Sequence, residues 1–291
     1  MEKLSLCLKQ YISEEDYNNI EILKNICLKE EKMFLKLELD YKLNVSQMNR
    51  ENDIKNINEF FCYSGETLIG YIGICNFGGD AGELTGMVHP QYRRKGTFNR
   101  LYTLAKEECI RREFKRILLV CDNNSVSGLQ FIRSTDAIYS FSEYEMKLDN
   151  IITSEESKHV TLRKASNSDA EEISRQNSIY FGGTYELIIM PEDEEKNNKV
   201  TYMIELNSKI IGKIKIDFDE KSGFISGFGI LPEYRRNGFG RESIKAALEI
   251  LKYYNIHSVG LEVAAENKNA LNLYKACGFE EKSVMDYYET H

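Results

Sequence analysis

Two spacings of apolar residues divide the second half of the chain into strands and helices. Apolar and polar residues alternate along 209–218, and 199–206 is also β-type, which predicts two strands joined by a turn at Asn207 and Ser208. Apolar residues three and four positions apart predict an amphipathic helix over 239–254. The remaining predicted elements are strands at 160–164, 223–230, 258–264 and 280–288, a helix opened by Asn167 or Ser168, and a short helix at 269–277. This order predicts an α/β fold with a mixed sheet.

The first half of the chain repeats the second. Its patterns predict strands near 57–63, 67–76, 82–88 and 116–121 and a main helix near 97–113. The segment HPQYRRKG at 89–96 matches LPEYRRNG at 231–238, so that Pro90 and Pro232 are 142 positions apart. Upstream the spacing changes, since Leu8 resembles Leu162 at a separation of 154. The repeat therefore predicts two copies of one fold, with extra residues in the helical start of the first copy.

The repeat also predicts the domain organisation. A length of 291 residues exceeds the usual size of one hydrophobic core. The polar segment 149–158 interrupts the periodic patterns, as an exposed linker does. We therefore expect an N-terminal domain over 1–150 and a C-terminal domain over 158–291.

Charge and composition exclude several classes of protein. A net charge of −8 disfavours a nucleic-acid partner, which needs clustered Lys and Arg, and is compatible with a cationic substrate. No apolar run approaches the roughly 20 residues of a membrane span, and the N-terminus has no secretory pattern. We expect a cytoplasmic protein without membrane contact. Its seven cysteines form no C-x-x-C pair, so free thiols are expected.

The glycine turn after the strand at 223–230 has the residue types of a phosphate site. The segment RRNGFG at 235–240 lies between a strand and a helix, where free backbone N–H groups and the helix dipole favour an anion. Gly238 and Gly240 allow close approach of the backbone. No P-loop motif is present, and Gly227 and Gly229 lack the third glycine of a dinucleotide fingerprint. A pyrophosphate bound without a magnesium-binding hydroxyl suggests coenzyme A, although an ordinary strand-to-helix turn remains an alternative.

A second motif gives the turn its context. The pattern Asn267-x-x-Ala270-x-x-Leu273-Tyr274-x-x-x-Gly278-Phe279 follows it, and together the two motifs resemble the GNAT superfamily of acetyltransferases. The resemblance implies two tandem GNAT folds, each a mixed, mostly antiparallel twisted sheet flanked by helices. It also implies acetyl-CoA as co-substrate and no metal. The cofactor-binding residues that it implies are Gly229, Ile230, Leu231, Arg235, Arg236, Asn237, Gly238, Phe239, Gly240, Arg241 and Asn267.

The resemblance also implies a catalytic acid and suggests a base. In this family the acceptor amine attacks the thioester directly, and Tyr274 matches the general acid. Glu262 precedes it by 12 residues in a Leu-Glu-Val strand, as a glutamate does in bacterial ribosomal-protein alanine N-acetyltransferases. A packed aromatic residue at 274 and a structural glutamate at 262 are the alternatives. Ser226, Asp217 and Tyr202 remain substitutes for the base.

The first copy lacks the acid and the base. Ile132 stands where the second copy has Tyr274, and Val120 stands where it has Glu262. We expect this diverged copy to be non-catalytic, although Glu83 could serve as a base. Asp136 and Phe98 replace the glycines at 278 and 240. A candidate second cofactor site is retained at Val88, Arg93, Arg94, Lys95, Gly96 and Thr97.

The resemblance implies an acetyl-CoA-dependent N-acetyltransferase whose C-terminal domain moves an acetyl group to a primary amine. The alternative is a non-catalytic acyl-CoA-binding or sensor protein. In architecture the tandem also resembles mycothiol synthase and tandem aminoacyltransferases of the cell wall. We expect a small-molecule or peptide amine as acceptor, and a monomer with an internal pseudo-dimer or a weak homodimer. The segments 13–60 and 168–198, where this fold selects its acceptor, carry no identifying motif.

Overall fold

The computed structural model describes residues 4–48, 55–77, 79–151, 159–182, 188–219 and 221–290. The chain forms two compact units. The first unit comprises Met1–Ser142 together with Ser283–His291, and the second comprises Glu143–Lys282. Most of the predicted linker, at 152–158, lies outside the described residues.

The first unit is built from most of the first copy. Its elements are β1 (Leu4–Lys9), α1 (Glu14–Glu30), α2 (Leu39–Met48), β2 (Glu59–Ser64), β3 (Thr67–Cys75), β4 (Ala81–Val88), α3 (Thr97–Arg111), β5 (Arg116–Asp122), α4 (Val126–Ile132) and the start of β6 (Ile138–Asp149). The main helix and the four strands predicted for this copy are all present, with ends shifted by at most two residues.

The second unit has the same order of elements. They are β7 (Val160–Lys164), α5 (Ala170–Phe181), α6 (Pro191–Glu195), β8 (Lys199–Leu206), β9 (Lys209–Phe218), β10 (Ser222–Ile230), α7 (Phe239–Tyr253), β11 (Ser258–Ala264), α8 (Lys268–Ala276) and β12 (Glu280–Thr290), which ends in the first unit. The predicted helix start at Asn167 or Ser168 needs correction. A 3-10 turn covers Asn167–Asp169, and Ser166 caps it through a capping box with Asp169.

Each unit contains a mixed sheet in which one pair of neighbouring strands is parallel. The order is β1-β2-β3-β4-β5-β12 in the first unit and β7-β8-β9-β10-β11-β6 in the second. The parallel pairs are β4 with β5 and β10 with β11, and the other described pairs are antiparallel. This is the mixed, mostly antiparallel sheet that the resemblance implied.

The closing strands of the two copies are exchanged. β12 pairs with β5 from Met285 opposite Asp122 to Thr290 opposite Ile117, and so completes the first unit. The second half of β6 pairs with β11, from Ser258 opposite Asp149 onwards, and so completes the second unit. The units therefore differ from the ranges 1–150 and 158–291 at these strands, because alternation identifies a strand but not the sheet edge that it joins.

The two faces of the second sheet differ in polarity. Ile214 and Ile216 of β9 are fully buried in the core that packs against Ile244 of α7. Since successive side chains of a strand point to opposite faces, Lys213 and Asp217 lie on the other face, where α5 packs. We call these the core face and the α5 face of the second unit.

The corresponding face of the first unit is filled by an apolar core. Phe61, Tyr71 and Met87 of the sheet are buried against Ile20 and Leu23 of α1. A buried ion pair lies nearby, in which Lys42 donates to Glu59 at 2.7 Å. Tyr71 donates to the other oxygen of that carboxylate at 2.5 Å. The first unit therefore closes the face that the second unit lines with polar groups.

No helix among the described residues is long and apolar enough to cross a membrane. All seven cysteines are free, as expected from their spacing.

Candidate functional site

The predicted phosphate turn lies at the start of α7. Arg236 and Gly238 both have positive φ, at 67° and 84°, which bends the chain sharply between strand and helix. Gly238 is the N-cap residue of α7, and no side chain of the described residues hydrogen-bonds to the first amides of the helix. A methyl group at Gly238 would meet no atom within 4 Å. The space beside Gly238 is therefore open.

The turn is tied to the end of β10. The Arg235 Nε donates to the carbonyl of Ile230 at 2.7 Å, so this arginine positions the turn. Asn237 donates from its side-chain amide to the carbonyls of Tyr234 and Arg235. At the neighbouring helix, the Oδ1 of Asn267 accepts from the amide of Ala270 at 3.1 Å and caps α8.

The strands β10 and β11 separate toward this turn. Their parallel pairing runs from Ser222 opposite Ser258 to Ile225 opposite Leu261, and no later pair is formed in the described part of either strand. The edge of β10 that faces β11 is therefore without a strand partner from Ser226 to Ile230. Such a gap offers backbone donors and acceptors to an extended ligand.

A β-bulge interrupts β10 beside the gap. Lys215 pairs with Ser226 and Lys213 pairs with Gly229, so Gly227 and Phe228 together oppose one residue of β9. Gly227 has φ of 54°, and its carbonyl accepts a 2.8 Å hydrogen bond from the Nζ of Lys213. β4 of the first unit pairs with β3 without such a shift and is one residue shorter than β10.

Lys213 carries a buried ammonium group. Its exposed fraction is 3%, and burial together with the charge of Lys215 lowers its pKa to about 8. No described carboxylate pairs with it. The rings of Tyr180 and Phe181 cover it from the C-terminal end of α5.

The candidate acid, Tyr274, lies on the core face. It packs between Phe228 and Phe279, at ring-centroid distances of 6.3 and 5.8 Å, and burial raises its pKa well above the ordinary value. Its hydroxyl makes no hydrogen bond with a described residue. The group is therefore protonated at neutral pH and has a proton to donate.

The candidate base, Glu262, belongs to the opposite face of the sheet. Leu261 and Val263 beside it are buried in the core, so alternation directs Glu262 to the α5 face. Two of its proposed substitutes, Ser226 and Asp217, share that face, because the register of β9 and β10 places them beside Lys215 and not with Ile214 and Ile216. Each has a buried oxygen that no described residue hydrogen-bonds. Burial raises the pKa of Asp217. Tyr202 does not belong there, since it is buried in the core.

The first unit has a large cleft at the matching place. β4 and β5 pair only as far as Leu84 opposite Leu119. The cleft beyond them has a volume of about 770 Å³. Residues that line it include Val88, Arg93, Arg94, Gly96, Thr97 and Phe131.

The turn of the first unit has kept its shape. Arg94 and Gly96 have φ of 62° and 80°, and Arg93 donates to the carbonyl of Val88 at 3.2 Å. Thr97 is buried, and its hydroxyl has no hydrogen-bond partner among the described residues. Five of the six residues predicted for a second cofactor site line this cleft, and Lys95 is not among them. Val120 and Ile132 supply no titratable group at the positions of the acid and base.

Three residues that the sequence patterns did not identify also approach these clefts. In the first unit, Glu31 accepts from the amide of Ser127 at 2.9 Å and lies 3.5 Å from Arg93, which links the turn to α4. In the second unit, Tyr180 and Lys213 lie over the bulge. Lys213 is one of several polar residues in the alternating strand β9, so the sequence does not distinguish it from Lys215, and it does not show the covering helix either.

No group of three or more His, Cys, Asp and Glu residues within the described ranges is arranged to hold a metal ion.

Comparisons with known proteins agree with this geometry. A family model described as the Acetyltransferase (GNAT) family matches residues 27–133 and 168–279, one match in each copy. An N-alpha-acetyltransferase of Sulfurisphaera tokodaii is 27% identical over 144 residues, which are 45% of this chain and 86% of that relative.

Two solved structures share the fold over nearly the whole chain. One is a GCN5-related N-acetyltransferase from Sphaerobacter thermophilus, with a TM-score of 0.79 and 15% identity, covering 99% of this chain and 95% of that chain. The other is a tandem GNAT protein from the clavulanic acid biosynthesis pathway, with a TM-score of 0.70 and 14% identity, covering 99% and 98%.

Proposed function

Because the chain belongs to the GNAT family and is an N-acetyltransferase, we propose that its second unit moves an acetyl group from acetyl-CoA to a primary amine. The observation that carries the proposal is the gap between β10 and β11, which opens toward the phosphate turn. Glu262 follows the last paired residue of β11, and Phe228, in the unpaired part of β10, packs on Tyr274. The first unit has the gap and the turn without the tyrosine and the glutamate.

The residues around this gap fit acetyl-CoA. The backbone of Gly229, Ile230 and Leu231 would hold the pantetheine arm, since the edge of β10 has no strand partner there. The diphosphate would be held by the turn at 235–241, where the first amides of α7 are uncapped by side chains and the space is open. Asn267 caps α8 through its oxygen, so its side-chain NH₂ can donate to the arm.

In the proposed reaction, one side chain accepts a proton from the amine and another stabilises the departing sulfur. Acetyl-CoA supplies the acetyl thioester. Glu262, directly or through water, accepts the proton that the attacking amine loses. As nitrogen bonds to the acetyl carbon and the carbon–sulfur bond breaks, the hydroxyl of Tyr274 donates a hydrogen bond to the departing sulfur. The raised pKa of Tyr274 favours this hydrogen bond over complete proton transfer, because a thiol is a stronger acid than a buried phenol.

A cationic acceptor suits the α5 face. Glu262 and Asp217 belong to this face, and Glu194 lies 3.2 Å from Lys215 at its edge. Carboxylates there would attract an ammonium group and then take up its proton. The acceptor class is therefore a small-molecule or peptide amine.

The test is release of CoA thiol from acetyl-CoA with a panel of primary amines. We expect Tyr274→Phe to lower kcat roughly 100-fold, the usual size of one acid–base contribution, without lowering the melting temperature. Tyr202→Phe is the matched control, since Tyr202 is buried in the same core but lies outside the gap. Equal turnover by Tyr274→Phe and the wild type would remove the assigned acid. Absence of thiol release with every amine would refute the function.

The cleft of about 770 Å³ in the first unit favours a second function. The first unit would bind acyl-CoA without turning it over, as its intact turn and the unpartnered hydroxyl of Thr97 suggest. Calorimetric titration with acetyl-CoA should then find two equivalents bound per chain. One bound equivalent would contradict this second function.

A further inference from the structure

Three side chains close the α5 face of the second unit at the β-bulge, and the reaction described above gives them no role. We call Tyr180, Phe181 and Lys213 the bulge cover. Tyr180 lies so close to β10 that a methyl group on Gly229 would be 2.4 Å from its ring. The Nζ of Lys213 donates to the carbonyl of Gly227 and lies 5.9 and 5.7 Å from the ring centroids of Tyr180 and Phe181.

The bulge cover is held in place from behind. The hydroxyl of Tyr180 donates to the Oε1 of Gln176 at 3.0 Å, one turn earlier on α5. Gln176 is fully buried, and its NH₂ donates to Glu172 at 2.7 Å. Because Lys213 is also buried, the ring of Tyr180 is fixed between the helix, the strand and a charged group.

The position of the gap decides what this ring would touch. β10 and β11 converge at Ile225 and Leu261, whereas the phosphate turn lies beyond Ile230, at the open end of the gap. A pantetheine arm that starts at the turn therefore runs toward the point of convergence and places its acyl group near the bulge. An acyl chain longer than acetyl cannot continue in the plane of the sheet, because the two strands are hydrogen-bonded there.

Such a chain has to leave the plane on one face or the other. On the core face it meets Phe228 and Tyr274, whose ring centroids are 6.3 Å apart. On the α5 face it meets Tyr180, which leaves no room for even a methyl group at Gly229. Aromatic rings therefore stand in the way of a longer acyl chain on both faces. The ring on the α5 face belongs to Tyr180, which has no part in the proposed chemistry.

We propose that Tyr180 is a specificity-determining residue that restricts the thioester to short acyl groups by covering the β10 side of the gap on the α5 face, and that the amine approaches along β11, beside Glu262. The inference rests on the proposed function of the second unit and adds the class of donor that it accepts. Removal of the ring opens the gap to longer acyl chains, whereas removal of its hydroxyl alone does not.

The experiment compares the binding of acetyl-CoA and butyryl-CoA by calorimetry, with CoA turnover measured in parallel. The wild type should bind butyryl-CoA roughly tenfold more weakly than acetyl-CoA, a usual factor for a tight apolar pocket. Tyr180→Ala should abolish or reverse this preference. Tyr180→Phe should keep it, and so should Tyr254→Ala, a matched loss of a ring at an exposed position of the same unit.

The outcomes separate the two proposals. Failure of the wild type to acetylate any amine refutes the proposed function. Turnover of acetyl-CoA with an unchanged chain-length preference in a folded Tyr180→Ala overturns the inference about Tyr180. A change confined to the KM of the amine also overturns it, because Tyr180 would then belong to the acceptor site. If Tyr180→Ala does not fold, Tyr180→Leu retains apolar packing while shortening the side chain, and the same comparison applies to it.

Discussion

Exchange of the closing strands predicts that each half of the chain is stabilised by residues of the other copy. Tyr287 lies on β12 but has an exposed fraction of 1% in the first unit. Its ring stacks on Phe141 at 4.3 Å, and its hydroxyl accepts a 2.9 Å hydrogen bond from Lys36. Replacement of a buried aromatic residue by alanine usually costs about 3–5 kcal/mol. Because Tyr287→Ala also removes a partner of a buried lysine, we expect the upper part of this range for the first unit.

The reciprocal substitution is Met146→Ala. Met146 lies on β6, in the first copy, but it is fully buried in the core of the second unit. Loss of a buried methionine side chain costs about 2–5 kcal/mol, depending on how far the site collapses. The second unit should therefore lose stability while the first keeps it.

Hydrogen exchange resolved by peptide measures both units in one sample. Tyr287→Ala should speed exchange in β2–β5 by about 100-fold or more, and Met146→Ala should speed exchange in β8–β11 by about 30-fold or more. Tyr253→Ala is the control, because its side chain is 82% exposed and its loss should cost within about 0.5 kcal/mol. The reverse pattern, in which each substitution loosens the half in which it lies in the sequence, would refute the exchange.

Two further predictions concern the turns and the buried lysine. Gly238→Ala and Gly96→Ala form a matched pair, since both glycines have positive φ and open space for a methyl group. Each substitution should cost about 1–2 kcal/mol of stability. Each should also weaken acetyl-CoA binding in its own unit alone, which calorimetry would measure. Loss of both binding sites in one variant would contradict separate clefts. Lys213→Met should stabilise the protein by up to about 3 kcal/mol at pH 7, because burial lowers the pKa of this amine from 10.5 to about 8. Between pH 8 and pH 10.5 the unfolded state binds more protons than the folded state, so the stability gained by Lys213→Met should shrink as pH rises through this range. Urea unfolding that finds the same gain at every pH would refute this prediction.

Periodicity in the sequence predicted most of the helices and strands of the fold. The helix predicted over 239–254 is observed as Phe239–Tyr253, and the strand predicted over 209–218 has those bounds. These elements have clear periods and are amphipathic, so local sequence is enough to define them. The turn at 235–240 lies where the strand and helix patterns meet, which fixed its place in the fold.

The rest depended on contacts between distant parts of the chain. The bulge at Gly227 arises from one additional residue in β10, and a single added residue leaves no periodic signal. Tyr180 approaches Gly229 because α5 packs on β10, and the pattern of side chains along α5 does not indicate this contact. Tyr202 was a candidate substitute for the base, but it is buried in the core. Strand register and side-chain burial depend on contacts across the whole fold, which the sequence pattern does not show.

The origin of the closing strands also governs the order in which the chain can fold during synthesis. β12 is made after all other elements, so the first unit waits for the ribosome to finish the second unit before its sheet is complete. Until then β5 presents an unpaired edge, a known route to aggregation. A cut between the two copies would not release two independent enzymes, since each fragment would carry away the strand that the other one requires.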